Sequence, residues 1–222
     1  MGAGATVILV LGYLQLRPRD AVRLGASMRR MVDATRAEPG CLHYAFGADL
    51  LDGDRLHIGE RWVDRAAQAT HTASVHMADF NVGMRDVKLQ SACLESFENG
   101  VVRTLMEVPP VHFRPERHES AMVVVMGSAR FDDGEIDRLM PDLVAQMAAT
   151  QAEPGCTHYS FARDVLDPDL LLIAERWRDA EALDAHARSA HVKAFGATLR
   201  SARMQSIAVK AYDASGERTL VA

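Results

Sequence analysis

The pattern of apolar positions along the first half of the chain changes period several times. Val7-Ile8-Leu9-Val10-Leu11 is a continuous, largely β-branched run, the mark of a buried strand. From Asp20 the spacing of Leu24, Met28, Met31, Val32 and Thr35 follows one face of a helix. Leu42 to Leu51 and Arg55 to Val63 read as two strands joined by Asp52-Gly53-Asp54, which has hairpin chemistry. Asp64 and Ser74 stand where helix N-caps are wanted, predicting a short helix and then a longer one. A strand or strand pair from about Ala92 to Val108 closes the segment. The order is β-α-β-β-α-β.

The second half repeats the first. At a displacement of 115 residues, Glu38-Pro39-Gly40-Cys41 returns as Glu153-Pro154-Gly155-Cys156, and Glu60-Arg61-Trp62 returns as Glu175-Arg176-Trp177. His71, Ser74, His76 and Phe80 return as His186, Ser189, His191 and Phe195. The first strand has its counterpart in Met122-Val123-Val124-Val125-Met126, and the helix in Ile136, Leu139, Leu143 and Met147, stopped by Pro154-Gly155. A period this long exceeds the roughly 20–50 residues of solenoid units, so each copy is expected to own a core. The expected organisation is one domain over 1–108, a linker over 109–120 stiffened by Pro109, Pro110 and Pro115, and a second domain over 121–222. The fold class is α+β: two tandem ferredoxin-like domains. Two such sheets stacked face to face would bury the faces that the helices leave open, making the chain its own dimer, with a further homodimer still open.

With 25 Lys plus Arg against 30 Asp plus Glu, the net charge is −5, and nothing basic is in excess to displace counterions from a phosphate backbone, so no nucleic-acid partner is expected. The apolar run from Ala5 to Leu11 is too short to span a bilayer, and no basic residue precedes Arg17, so neither a membrane partner nor a secretory leader is expected, and the location is read as cytoplasmic. Cys41, Cys93 and Cys156 form no metal-ligand or disulfide pattern. No metal, nucleotide or other cofactor is demanded, because dinucleotide, P-loop, GxSxG and HExxH signatures are all missing.

Strand alternation puts Ile58, Glu60 and Trp62 on one face and Arg61 on the other. His71, on the short helix after Asp64, could lean back over that face, and Glu175, Trp177 and His186 repeat the spacing. Trp offers a flat wall and one N–H donor, His moves a proton near neutral pH, and a buried Glu accepts one when its pKa is raised. His71, His186, Glu60 and Glu175 are therefore the candidate catalytic residues. Trp62 and Trp177 are the candidate substrate walls, and one of each pair His43/Tyr44 and His158/Tyr159 must face the helices beside them. The competing reading makes the Trp residues core, the His residues packed and uncatalytic, and Glu60-Arg61 a pair of cross-strand ions.

The motif Pro-Gly-Cys-x-His-Tyr-x-Phe, followed by Asp49, Glu-Arg-Trp and Ala-x3-His-x2-Ser-x-His-x3-Phe, resembles the antibiotic biosynthesis monooxygenase family, and it occurs twice. The resemblance implies a dimeric α+β barrel. Its quinol-oxidising members imply a cofactor-independent monooxygenase acting on a small aromatic phenol or quinol with dioxygen, with His71/His186 as base and Glu60/Glu175 as support. Some such enzymes carry Asn four residues before the Trp, where this chain has Ile58 and Ile173. Haem-degrading relatives imply an alternative haem-binding or haem-degrading enzyme, though neither first strand holds the Asn they use. A non-catalytic small-molecule binding module is the third reading. Differences such as Gln68 against Leu183 imply that the two pockets need not be equivalent.

Overall fold

The computed structural model describes residues 7–98, 101–108, 121–213 and 216–221. The expected linker over 109–120 lies outside the described residues. The first half runs β1 (Ile8–Leu16), α1 (Asp20–Arg36), β2 (Cys41–Asp49), β3 (Arg55–Trp62), α2 (Arg65–Thr72), α3 (Val75–Gly83), β4 (Leu89–Glu98) and β5 (Val101–Val108). The second runs β6 (Val123–Phe131), α4 (Glu135–Gln151), β7 (Cys156–Asp164), β8 (Leu170–Trp177), α5 (Ala180–Arg188), α6 (Ala190–Arg200), β9 (Met204–Asp213) and β10 (Gly216–Val221). Elements through β5 form one compact unit and those from β6 another. Each is an α+β, ferredoxin-like repeat whose second helix is broken in two and whose last strand is a pair.

The strands of the first unit lie in the order β5-β4-β1-β3-β2 and those of the second in the order β10-β9-β6-β8-β7, with every pairing inside a unit antiparallel. The central strand β1 runs five residues past the apolar run that announced it. It does so because Gly12 permits a close approach of backbones: a Cβ there would stand 2.0 Å from the Cys93 carbonyl oxygen and 2.6 Å from Leu94 Cα. Gly127 on β6 is held the same way: a Cβ there would stand 2.5 Å from the Ala208 oxygen.

Helix α1 buries Leu24, Met28, Met31, Val32 and Thr35, the face its periodicity announced, and α4 buries Ile136, Leu139, Leu143 and Met147. Each large apolar side chain so buried contributes ~2 kcal/mol. After α1 the chain turns at Gly40, whose φ of 86° is open to glycine at little cost; a Cβ there would collide with Ala67 at 2.7 Å, so the turn packs directly beneath α2. Gly155 repeats the turn against Ala182. The break between α2 and α3 is set by two N-caps, Asp64 accepting from the Ala67 N–H at 2.8 Å and Ser74 from the Met77 N–H at 3.2 Å, each worth ~1 kcal/mol. Among the described residues no helix is long and apolar enough to cross a membrane.

Candidate functional site

On β3, Glu60 and Trp62 are two residues apart and share the helix-facing side, so the indole N–H reaches the carboxylate: Trp62 Nε1 donates to Glu60 Oε2 at 2.8 Å. Trp62 is fully buried and Glu60 is 4% exposed. Burial raises the Glu60 pKa to about 7; the Trp62 hydrogen bond pulls it down and the Glu38 charge pushes it up, but desolvation dominates. Glu175 and Trp177 reproduce the pair at the same 2.8 Å, and Glu175 is likewise raised to about 7.

His71, on α2, lies flat on the far side of the indole, with ring centroids 4.8 Å apart and an interplanar angle of 30°. Its Nδ1 is 3.0 Å from Glu38 Oε2, and His76 Nε2 is 3.2 Å from Glu38 Oε1, so one carboxylate at the end of the α1 turn bridges two imidazoles. Burial outweighs the Glu38 charge and holds the His71 pKa below its ordinary value, which favours a neutral ring. In the second unit Glu153 lies 2.6 Å from His186 Nδ1 and 3.5 Å from His191 Nε2. The donor atoms of Glu38, His71 and His76 are close enough together for a single ion, as are those of Glu153, His186 and His191. Yet His71 Nε2 is buried with no hydrogen-bond partner, whereas a metal-bound histidine normally anchors its second nitrogen. The trio fits a polar clamp in which Glu38 hydrogen-bonds His71 of α2 and stands within ion-pair distance of His76 of α3.

A cavity of about 380 Å³ opens between the sheet of the first unit and its helices, at the lower end of the roughly 300–1,000 Å³ range of small-molecule sites. The floor is Leu14, Tyr44, Phe46, Ile58, Glu60 and Leu94 from the strands, and the roof includes Met31 of α1 with Met77 and Phe80 of α3. Phe46 and Phe80 stack at 5.5 Å. Apart from the Tyr44 hydroxyl and the Glu60 carboxyl, the interior is apolar, and the exposed Asn81 and Lys88 stand at its mouth.

The structure therefore rearranges the expected site. Glu60 and Tyr44 face the cavity, while Trp62 and His71, expected as wall and base, are not among its lining residues: Trp62 spends its N–H on Glu60, and His71 is 1% exposed behind the indole. Of the pair left open by alternation, Tyr44 and Tyr159 take the helix side, where their rings approach His71 and His186 at 5.3 and 5.7 Å. His43 and His158 take the other side: His158 Nε2 meets Ser160 Oγ, two residues along, at 3.0 Å, and burial lowers the His43 pKa to about 4. A haem reading needs an imidazole nitrogen presented to the cavity, and His71, covered by Trp62 and tied to Glu38, does not present one. Glu38 and Glu153 went unrecognised as site residues because the Glu-Pro-Gly-Cys repeat reads first as a turn; their duplication was the available signal. His76 and His191, which the sequence shows only as a repeated position, stand beside the same carboxylates.

The sequence pattern described as antibiotic biosynthesis monooxygenase matches residues 7–82 and again 122–198. The chain belongs to this family. Both antibiotic biosynthesis monooxygenase repeats enclose a full Glu-Trp-His set, and such domains carry a monooxygenase-like or small-molecule-binding function. Among curated proteins, an uncharacterised protein of Synechocystis sp. is 24% identical over 98 residues, spanning 44% of this chain and 67% of its own. Among solved structures, PA3566 from Pseudomonas aeruginosa is 28% identical over 44% of this chain and 97% of its own, with a TM-score of 0.40. An aldoxime dehydratase crystallised with butyraldoxime covers 96% of this chain and 81% of its own with a TM-score of 0.59; at 13% identity the likeness is one of fold.

The raised carboxyl groups have a cost that pH reveals. A Glu with an ordinary pKa of 4.5 when unfolded and about 7 when folded binds more protons in the native state between those values, so stability falls as pH rises from about 4.5 to 7 and then levels. Glu60→Gln is expected to remove roughly 3 kcal/mol of that decline, and Glu175→Gln a similar amount. Urea midpoints of wild type and variants at pH 5 and pH 8 measure it: the variants should gain relative to wild type at pH 8, and an equal offset at both pH values would contradict the raised pKa.

Proposed function

We propose that the first repeat is a cofactor-independent monooxygenase site for a small aromatic phenol or quinol, with Glu60 as the base. The observation that carries this reading is a single carboxyl of pKa about 7, aimed by an indole N–H, in an otherwise apolar cavity. At neutral pH such a group is ionised about half the time and takes up a proton readily. Tyr44, whose ionisation burial pushes well above its ordinary value, stays protonated and can donate a hydrogen bond to the substrate oxygen. Glu60 would take the substrate's acidic proton. The resulting anion would pass one electron to dioxygen, the radical pair would join as a peroxide, and loss of water would leave a new carbonyl: one oxygen atom enters the product and the other leaves as water. His71, Glu38 and His76 would not touch substrate; they brace Trp62, and Trp62 aims Glu60.

Oxygen uptake by metal-stripped protein against hydroquinones, naphthols and anthrones tests this. One O2 should be consumed per carbonyl product, without accumulating hydrogen peroxide and without sensitivity to chelators. Binding of these compounds with no oxygen consumed would overturn the oxygenase reading and leave a sequestering module.

A further inference from the structure

The mouth of the cavity carries a charge that the interior chemistry does not use. In both repeats the strand after the helices begins beside a buried acid on the first helix: the Lys88 backbone N–H points at Asp20 Oδ2 at 3.5 Å, and the equivalent Arg203 N–H donates to Glu135 Oε1 at 3.1 Å. The side chains then diverge. Arg203 turns back onto Glu135, with Nε at 3.1 Å and Nη2 at 3.0 Å, so its charge, though at the surface, is spent on a buried carboxylate. Asp20 is shorter by one methylene and is already flanked by Arg17 at 2.9 Å and Arg23 at 3.3 Å. The Lys88 ammonium has no carboxylate partner among the described residues, and it stands exposed on the rim of the cavity next to Asn81.

A cation left unpaired at the entrance of an apolar cavity, in a chain of net charge −5, favours a ligand that brings its own anion. We propose that the molecule bound in the first repeat is an aromatic anion, carrying a carboxylate- or sulfonate-type group that Lys88 holds at the mouth while its ring system fills the cavity. This rests on the cavity being the binding site of the proposed function and adds the substrate's charge. The four methionines around the ring space, Met31, Met77, Met84 and Met106, suit a bulky planar core because unbranched thioethers adapt their shape. Glu60, buried in the cavity wall, would repel the anion, which fixes the ligand's direction: anion outward, acidic proton inward.

Two fluorescent probes that differ only in the charge test it: 8-anilinonaphthalene-1-sulfonate and its neutral parent N-phenyl-1-naphthylamine. Wild type should prefer the sulfonate, and the preference should shrink as salt rises. Lys88→Gln should weaken sulfonate binding ~3–5-fold, the scale of a partly solvated ion pair, and leave the neutral probe unchanged; Lys88→Glu should reverse the preference. Arg203→Gln, at the equivalent position of the second repeat, should not alter it. The proposal is overturned if neither probe binds, if both respond equally to Lys88→Gln, or if the preference survives Lys88→Glu. Because the readout is binding, a failed oxygen-uptake experiment leaves this one interpretable, and loss of the charge preference leaves the oxygenase reading standing.

Discussion

Glu60→Gln is expected to lower turnover at the first repeat by roughly 10²–10⁴-fold, the range associated with a positioned general base. The substitution changes little else. Gln has the same shape, and its amide oxygen can still accept from Trp62 Nε1, now at 2.8 Å from the carboxylate. It cannot take a proton. Since the neutral amide avoids burying a charge, the variant should be more stable than wild type above pH 7, so lost activity could not be put down to unfolding. The clean comparison is made in a Glu175→Gln background, which silences the duplicate carboxyl. There kcat/KM of the intact Glu60 site should rise through about pH 7 with unit slope and then flatten, whereas the double variant should show neither the rate nor the profile. A double variant within threefold of its parent would remove Glu60 from the chemistry.

The largest effect on stability is expected at Gly12. Alanine there would place a methyl carbon 2.0 Å from the Cys93 oxygen and 2.6 Å from Leu94 Cα, both backbone atoms on the neighbouring strand. Backbone in the middle of a sheet cannot step aside as the tip of a flexible side chain can. Gly12 also pairs with Ile58 on its other flank, so relieving one ladder strains the second. Gly12→Ala should cost more than about 4 kcal/mol, enough to leave the chain insoluble or molten. Gly53→Ala serves as the control: nothing lies within 4 Å of its Cβ position, and it should fold normally, with a melting temperature at or slightly above wild type. A soluble Gly12→Ala protein with wild-type thermal unfolding would contradict the close approach of β1 and β4.

Much of the fold was legible because it follows from local rules that leave few choices. The helical faces of α1 and α4, the Asp and Ser caps and the hairpin at Asp52-Gly53-Asp54 stand where spacing and capping chemistry put them. The extent of β1 was not legible, since Gly12 and Gln15 interrupt the apolar run and only a close-packed neighbour explains why the strand continues through them. The site was half legible. Alternation put Glu60 and Trp62 on one face but had no way to rank their depth, and depth decides which of the two meets a ligand. It also fixed that His43 and Tyr44 oppose each other without fixing the phase. Glu38 was hidden for a different reason: its partners His71 and His76 lie on helices beyond the whole β2-β3 hairpin, the nearer of them 33 residues away in sequence, and it reaches them because the left-handed turn at Gly40 tucks under α2.

The indole-to-carboxylate pairing has one more consequence. The chain contains two tryptophans, and each donates its N–H to one of the two elevated glutamates. The indole emission of the whole protein thus originates beside the very groups whose ionisation is in question, so fluorimetry of untagged material, excited where tryptophan alone absorbs, listens to both carboxyls with no other indole to blur the signal.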